Sequence, residues 1–263
     1  MNKEIEKFIN DVQKEFPEYE VNIDNVNDFY MMLEEKKNNY KDGIKTIYRD
    51  GQFLQIKLKT FDILTLSPYQ NIINNSLPET VLKADFKDFD LNSESRKKIY
   101  DYMQKFIKNY KNMEKGLYIY GGFSIGKTYS MGCLYKELIR NDIDALMVYL
   151  PDLVISLKNS IQTDKYVDII DVLKTCDVLL IDELGAENLT EWFRDEVLCP
   201  VLNYRLVEKK PIFVTSNIEP RLLPNHFRLK STEDDGLKCD RIVSRIQSLV
   251  TFVSFEDSNK YKR

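Results

Sequence analysis

The sequence predicts a doubly wound α/β fold for residues 79–263, preceded by a small α+β domain over residues 1–78. Beyond residue 78, short apolar runs alternate with amphipathic helical segments, which is the pattern of a parallel sheet covered by helices. Residues 1–78 instead show two helical segments and then one hairpin segment. The boundary between the domains is expected near residue 78, where the chain is polar and interrupted by prolines.

The first domain is predicted to be held together by packing alone. Apolar residues recur at helical spacing within residues 1–37, and apolar and polar residues alternate on both sides of Asp50-Gly51. An Asp-Gly pair favours the two-residue turn of a β-hairpin, because this turn requires positive φ angles. Residues 1–80 contain neither cysteine nor histidine, so no zinc site is expected in this domain.

Five strands are predicted in the second domain, with helices between successive strands. They lie at 116–120, 145–150, 177–184, 211–217 and 249–256. Four of these runs are almost continuously apolar, as expected of strands that are buried on both faces. A further helix within residues 89–110 precedes the first strand, and Asn92 or Ser93 is expected to be its N-cap.

Composition limits where the chain works and what it binds. No apolar run reaches the roughly 18 residues of a membrane span, and the N-terminus lacks the apolar region of a signal peptide. The four cysteines are scattered and the only histidine is His226, which predicts reduced thiols, a cytoplasmic chain and no zinc. Because the net charge is −4, any nucleic acid must be bound by a local patch.

A phosphate-binding loop is predicted within YIYGGFSIGKTYS, residues 118–130. The stretch matches G-x-x-x-x-G-K-[ST] between a predicted strand and the start of a helix, as phosphate binding requires. Its glycines let backbone N–H groups approach phosphate oxygens, Lys127 reaches the β- and γ-phosphates, and the Thr128 hydroxyl binds Mg²⁺. ATP with Mg²⁺ is therefore the expected ligand. The predicted nucleotide-binding residues are Gly121, Gly122, Phe123, Ser124, Ile125, Gly126, Lys127, Thr128, Tyr129 and Asp182.

Two acidic residues at the end of the strand at 177–184 are predicted to complete the site. Asp182 would hold Mg²⁺ together with Thr128, because ligands of open α/β sheets lie at the carboxyl ends of strands. Glu183 would activate the attacking water. Adjacent side chains on a strand point to opposite faces, so Glu183 is expected to reach this water only where the strand frays at its end.

Three further residues are candidates for catalysis. Asn217 lies at the end of the strand at 211–217, where its amide would bind the γ-phosphate or the attacking water, although asparagine is also common in turns. Arg241 and Arg245 lie one helical turn apart on one helix face. They are either solvated side chains or an arginine finger donated to the ATP of a neighbouring subunit, which would require an oligomer.

In this order the motifs resemble those of an AAA+ ATPase. The stretches GLYIYGGFSIGKTYSMGCLYKEL, VLLIDELGAENLTEWFRDEVLCPVLNYR and PIFVTSNIEP, with the later RIVSRI, are similar to the bacterial replicative helicase loaders of the DnaI/DnaC family. The DnaI branch is the most similar. The resemblance covers residues 77–263, whereas the N-terminal domain is similar only in its layout.

The resemblance implies an ATP-dependent loader that places the replicative DNA helicase onto single-stranded DNA, with ATP binding and hydrolysis as an assembly switch. Its implied partners are a hexameric replicative helicase, single-stranded DNA, and further copies of the chain that assemble through their ATP sites. The core would lack the full helical lid of larger AAA+ proteins. Without that lid, a second-sensor cation would have to come from the C-terminal tail, as Lys262 or Arg263. DnaI proteins commonly hold zinc in the N-terminal domain, for which this sequence offers no ligands.

Three other classes of protein fit parts of the sequence. A P-loop small-molecule kinase would share the phosphate loop, but it needs a substrate pocket and a lid rather than a sensor asparagine or a trans-acting arginine. An ATPase subunit of a transposition system would share the core but not this hairpin-bearing N-terminal domain. A helicase-binding adaptor with a degenerate core is disfavoured by the intact Lys127, Thr128, Asp182 and Glu183.

Overall fold

The chain forms two compact units, Met1–Leu64 and Thr65–Arg263. The structure is a computed structural model that describes residues 3–17, 19–37, 44–49, 52–57, 77–141 and 143–255. Most of the connector around the boundary expected near residue 78 lies outside the described residues, so that boundary stays a prediction. Lys262 and Arg263 also lie outside them.

The N-terminal unit consists of two helices followed by an antiparallel hairpin, as the sequence pattern predicts. Its elements are α1 (Lys3–Glu15), α2 (Val26–Lys37), β1 (Ile44–Arg49) and β2 (Gln52–Lys57). The hairpin pairs from Ile44 opposite Lys57 to Arg49 opposite Gln52, and the Asp50-Gly51 turn lies outside the described residues.

Phe29 of α2 lies in the small core of this unit. It is fully buried, its ring stacks on Tyr19 at 5.5 Å between centroids, and it meets Phe53 edge-on at 5.0 Å. Glu35 joins α2 to the hairpin, because its carboxylate accepts hydrogen bonds from the backbone N–H and the hydroxyl of Thr46 at 2.6 and 2.7 Å. Aromatic packing and one carboxylate thus connect the helices to the hairpin.

The second unit alternates strands and helices along the chain. Its elements are α3 (Glu79–Lys83), α4 (Glu94–Asn109), β3 (Gly116–Tyr120), α5 (Lys127–Arg140), β4 (Ala145–Tyr149), α6 (Leu150–Ser160), α7 (Asp164–Thr175), β5 (Val178–Leu184), a π-helical segment (Phe193–Leu198), α8 (Cys199–Val207), β6 (Ile212–Ser216), α9 (Leu223–Phe227), α10 (Glu233–Leu249) and β7 (Val250–Ser254). Short 3₁₀ turns lie at Phe86–Asp88, Tyr110–Asn112 and Pro220–Leu222. The five predicted strands are confirmed.

The five strands β3 to β7 form one parallel sheet in the order β4-β5-β6-β3-β7. All five residues of β6 and the first four of β3 are buried, as their apolar sequences predict. Ser93 is the N-cap of α4, because its hydroxyl accepts a hydrogen bond from the N–H of Arg96 at 3.2 Å. Since the sheet is parallel, the carboxyl ends of β5, β6 and β3 lie side by side.

Two findings concern membrane and metal chemistry. Within the ranges that the structure describes, no helix is long and apolar enough to span a bilayer. The same residues contain no group of three or more histidine, cysteine or acidic side chains suited to a metal ion. The Nε2 atom of His226 lies 2.9 Å from a carboxylate oxygen of Glu187. Burial raises the pKa of the Cys133 thiol to about 12.

Candidate nucleotide-binding site

The phosphate loop connects β3 to α5, where the motif requires it. Gly121 (φ 156°) and Gly126 (φ 102°) have backbone conformations that favour glycine, and Ser124 has a positive φ of 56°. A Cβ at Gly121 would stand 2.5 Å from the carbonyl oxygen of Phe255, whereas one at Gly122 would meet no atom within 4 Å. The loop therefore packs tightly on one side and leaves its backbone at Gly122 open to a ligand.

The N-terminus of α5 supplies hydrogen-bond donors at the end of this loop. Gly126 is the N-cap of the helix and has no side chain that could bind the first N–H groups. Unpaired N–H groups and the positive end of the helix dipole together attract an anion. The start of α5 is therefore suited to phosphate oxygens.

Lys127 brings the phosphate loop and the end of β6 together. Its ammonium group donates hydrogen bonds to the carbonyl oxygens of Gly121 and Gly122 at 3.0 and 2.5 Å and to Oδ1 of Asn217 at 2.7 Å. Burial lowers the pKa of Lys127, while the carboxylates of Glu183 and Asp182 act in the opposite direction. The ammonium thus links the phosphate loop to Asn217, and both predicted acidic residues favour its charged form.

Thr128 and Asp182, the two predicted Mg²⁺ ligands, contact each other at the carboxyl end of β5. The Thr128 hydroxyl lies 3.0 and 3.2 Å from the two carboxylate oxygens of Asp182. Burial raises the pKa of Asp182, and hydrogen bonds from Thr215 and Thr128 lower it in part. A hydroxyl and a carboxylate beside a phosphate loop are the oxygen ligands that Mg²⁺ uses in such sites, so these residues fit the ion.

Glu183 approaches the site through a feature that differs from the expected frayed strand end. Strand β5 continues to Leu184, and its register against β6 shifts between Ile181 and Leu184. Glu183 lies within this β-bulge with a φ of 58°. The carboxylate Oε2 accepts a hydrogen bond of 3.4 Å from the hydroxyl of Tyr149. A bulge therefore overrides the alternation of side chains along the strand.

Two predicted site residues, Tyr129 and Arg245, form hydrogen bonds outside the phosphate loop. The Tyr129 hydroxyl donates to the carbonyl oxygen of Asp85 at 3.2 Å, so it joins α5 to the segment before α4. The guanidinium of Arg245 donates to Oδ1 of Asn203 on α8 at 3.0 and 3.1 Å and to the Arg241 carbonyl at 3.0 Å. In the described part of the chain, neither arginine forms a hydrogen bond or ion pair with the phosphate loop.

Arg96 supports the phosphate loop from α4, a role that the sequence did not indicate. Its guanidinium donates to the Ile125 carbonyl at 2.8 Å, lies 3.7 Å from a carboxylate oxygen of Asp90, and covers the ring of Phe255 at 4.8 Å. The N–H of Phe255 donates to the Tyr120 carbonyl at 2.7 Å. No local pattern marks Arg96, because its partners lie on other elements.

Hydroxyl groups at the carboxyl ends of the strands form a second set, to which the sequence assigned no role although Ser216 directly precedes Asn217. The buried Ser216 donates to the Leu184 carbonyl at 2.6 Å and accepts from the N–H of Ile218 at 2.9 Å. The Tyr118 hydroxyl donates to the Ile218 carbonyl at 3.0 Å. These bonds fix the turn that carries Asn217. The hydroxyl residues of VTSN directly before Asn217 were the available signal.

An open pocket of about 460 Å³ adjoins the loop and gives a ligand access to it. Gly122, Phe123, Asn217 and Phe255 are among the residues that line it, so the predicted loop and the predicted sensor share one surface. The acidic pair lies in the last residues of β5, and Asn217 and the phosphate loop directly follow β6 and β3, so all three lie at the carboxyl ends of adjacent strands. This arrangement defines a P-loop ATPase core of the AAA+ type.

Comparisons with known proteins agree with this class. A family profile described as the bacterial DnaA ATPase domain matches residues 83–240. The replicative helicase loader DnaI of Bacillus subtilis (strain 168) is 33% identical over 187 residues, which cover 70% of this chain. The matched region spans only 60% of the length of that relative.

Solved structures show the same similarity. A crystal structure of DnaI is 36% identical with a TM-score of 0.62 and is matched over 67% of this chain and 93% of that one. The DnaC helicase loader, 20% identical with a TM-score of 0.54 over 68% of this chain and all of the other, shares the fold. The chain belongs to the DnaI/DnaC family of AAA+ ATPases, so the resemblance seen in the sequence is confirmed.

Proposed function

We propose that the chain binds and hydrolyses ATP at the phosphate loop and uses the nucleotide state to load a replicative helicase onto single-stranded DNA. The observation that carries the proposal is the convergence of Lys127 with Asn217 at 2.7 Å and of Thr128 with Asp182 at 3.0 Å. The similarity of this chain to a relative described as a replicative helicase loader supports the proposed role in helicase loading.

The residues of the site would divide the chemistry among them. The loop N–H groups and Lys127 would bind the β- and γ-phosphates. Thr128 and Asp182 would hold Mg²⁺, which when bound offsets negative charge on the phosphate oxygens. Glu183 would accept a proton from the attacking water. Because Asn217 accepts from Lys127 through Oδ1, its amide N–H groups remain available to orient the γ-phosphate or the water.

Arg241 and Arg245 would act across an interface between two copies of the chain. Both lie on α10, and Arg241 is exposed. Arg245 is held by Asn203, so reaching the ATP of a neighbour requires exchanging that hydrogen bond for one to phosphate. Self-association through ATP sites would in this way make hydrolysis depend on assembly.

The partners would be a hexameric helicase and single-stranded DNA in the cytoplasm. The N-terminal unit would dock on the helicase, while the ATPase unit would hold the DNA. Lys158 of α6 and Lys165 of α7 are exposed, which suits contact with phosphates. The Tyr166 ring lies 6.3 Å from that of Trp192, so it belongs to a packed aromatic pair.

Substitution of Lys127 tests the nucleotide site. Lys127→Ala should abolish ATP binding in fluorescence titrations, because it removes the cation that contacts the phosphates. Lys97→Ala on α4 removes an exposed lysine outside the site and should bind ATP like the wild type. Equal ATP affinity of Lys127→Ala and wild type would refute the assignment.

Helicase deposition tests the loader role separately. The full chain, the replicative helicase of the same cell and circular single-stranded DNA are mixed with ATP, and DNA-bound helicase is measured. Deposition should require the chain and fail with Lys127→Ala. A chain that hydrolyses ATP but neither captures the helicase nor promotes its deposition would be an ATPase with another task.

A further inference from the structure

The bulge in β5 places two residues of this strand opposite one residue of β6. Ile181 pairs with Val214 of β6, but the next paired residues are Leu184 and Ser216. Asp182 and Glu183 therefore share the single partner position of Thr215. An extra residue in a strand loses its regular main-chain partner and needs another acceptor for its N–H group.

The Thr215 side chain supplies that acceptor. Thr215 is fully buried, and its Oγ1 accepts a hydrogen bond from the N–H of Glu183 at 2.9 Å. The same hydroxyl donates to Oδ1 of Asp182 at 2.5 Å. A threonine hydroxyl has one proton, so the bond accepted from Glu183 leaves that proton for Asp182. One atom thus links the backbone of Glu183 to the carboxylate of Asp182.

We propose that Thr215 is a positioning residue for ATP hydrolysis, whose hydroxyl holds the bulge in which Asp182 and Glu183 face the same ligand. The inference rests on the proposed ATPase function. In a regular strand these two side chains would point to opposite faces. Glu183 keeps its positive φ of 58° because the Thr215 oxygen binds its N–H in that conformation.

The hydroxyl and the packing of Thr215 can be separated by substitution. Thr215→Val keeps the shape and removes the hydroxyl, whereas Thr215→Ser keeps the hydroxyl and removes the methyl group. Thr175→Val removes a hydroxyl that donates to the Asp171 carbonyl within α7, away from the site, and is the matched control. If the valine variant does not fold, Thr215→Ala and Thr215→Ser, which differ by one hydroxyl, give the same comparison.

Two measurements on the full chain decide the matter. In steady-state ATPase assays, Thr215→Val should lower kcat by roughly 10²-fold with KM for ATP nearly unchanged, as expected when a catalytic group is misplaced. Thr215→Ser and Thr175→Val should stay close to wild type. Without nucleotide, amide exchange of Glu183 should be fast in Thr215→Val and slow in the wild type, Thr215→Ser and Thr175→Val.

The outcomes separate this inference from the proposed function. A wild type that hydrolyses ATP while Thr215→Val keeps its kcat and its slow Glu183 exchange would overturn the role of Thr215 alone. Equal losses in the serine and valine variants would overturn it as well, since packing would then be the cause. A wild type that does not hydrolyse ATP, with Glu183 exchange as expected, would refute the ATPase and leave only the local contact.

Discussion

Glu183, the residue proposed to accept a proton from the attacking water, has a strained backbone conformation. Its φ of 58° is unfavourable for a residue with a Cβ, and such conformations occur where the surrounding structure enforces them. The hydroxyls of Thr215 and Tyr149 bind its N–H and its carboxylate. The position is therefore fixed from both its main chain and its side chain, which suits the role of proton acceptor proposed for it.

Glu183→Gln should bind ATP normally and remain in the ATP-bound state. The amide keeps the size and hydrogen bonds of the side chain but cannot accept the proton, so the hydrolysis rate should fall by about 10²–10⁴-fold. Single-turnover hydrolysis and ATP titration measure the two effects. The exposed Glu208→Gln at the end of α8 should match wild type in both assays. Loss of ATP affinity in Glu183→Gln would identify Glu183 as a metal ligand instead.

Residues of the site could be predicted from the sequence where their chemistry is contiguous. The phosphate loop is one short run, and Asp182 directly follows an apolar run, so the sequence alone indicates both. The orientation of Glu183 could not be predicted, because alternation along a strand gives no sign of a bulge. Arg96 and Thr215 act on partners brought close only by the fold. Single-sequence patterns carry no record of such contacts.

At the scale of elements, a buried arginine joins α7, α8 and the approach to β6. Arg205 has no exposed surface, and its guanidinium donates to backbone carbonyl oxygens at 2.8–3.2 Å. The acceptors are Leu173, Lys174, Cys176, Asp177 and Pro211. Several belong to the C-terminal end of α7, where carbonyl groups lack helical partners and a cation is favourable. Burial lowers the pKa of this guanidinium.

Arg205→Met should destabilise the ATPase unit by about 3 kcal/mol, because buried carbonyl groups lose their donors. Urea unfolding followed by circular dichroism measures the change. Arg221→Met removes a guanidinium that is 79% exposed and paired with Glu219, so it should cost less than about 1 kcal/mol. Similar losses in both variants would contradict the assigned role of Arg205.

The strands of the second unit were predictable for a physical reason. Strands buried on both faces must be apolar throughout, so β3 to β6 stand out from the charged helices around them. The strand order β4-β5-β6-β3-β7 is harder to predict from the sequence, because it depends on which strand each connection leads back to. The π-helical segment at Phe193–Leu198 was also unforeseen, because its sequence reads as an ordinary amphipathic helix.

At the scale of the whole molecule, mixed assemblies distinguish a trans-acting arginine from a solvated one. Arg245→Ala subunits should bind ATP about as well as wild type, because Arg245 contacts Asn203 and not its own phosphate loop. Lys127→Ala subunits still offer Arg245 to a neighbour. A mixture of these two inactive variants should regain part of the ATPase activity, measured as phosphate release.

The same mixing experiment is needed for Arg241, one turn away on α10. Recovery with one arginine variant and not the other identifies the finger. Arg245→Lys should not replace arginine, because an ammonium lacks the planar fork that binds two phosphate oxygens. Absence of recovery at every ratio for both positions would support the solvated interpretation.

The position of β3 also makes the phosphate loop depend on parts of the chain that are synthesised much later. β3 pairs with β6 and β7, so Gly116 lies beside Val250 in the finished sheet. The phosphate loop further rests on Phe255, which follows β7. Such distant pairings form late, because most of the chain must first leave the ribosome. We expect a growing chain to carry the complete phosphate-loop motif well before the strands and the Phe255 contact that support this loop are in place.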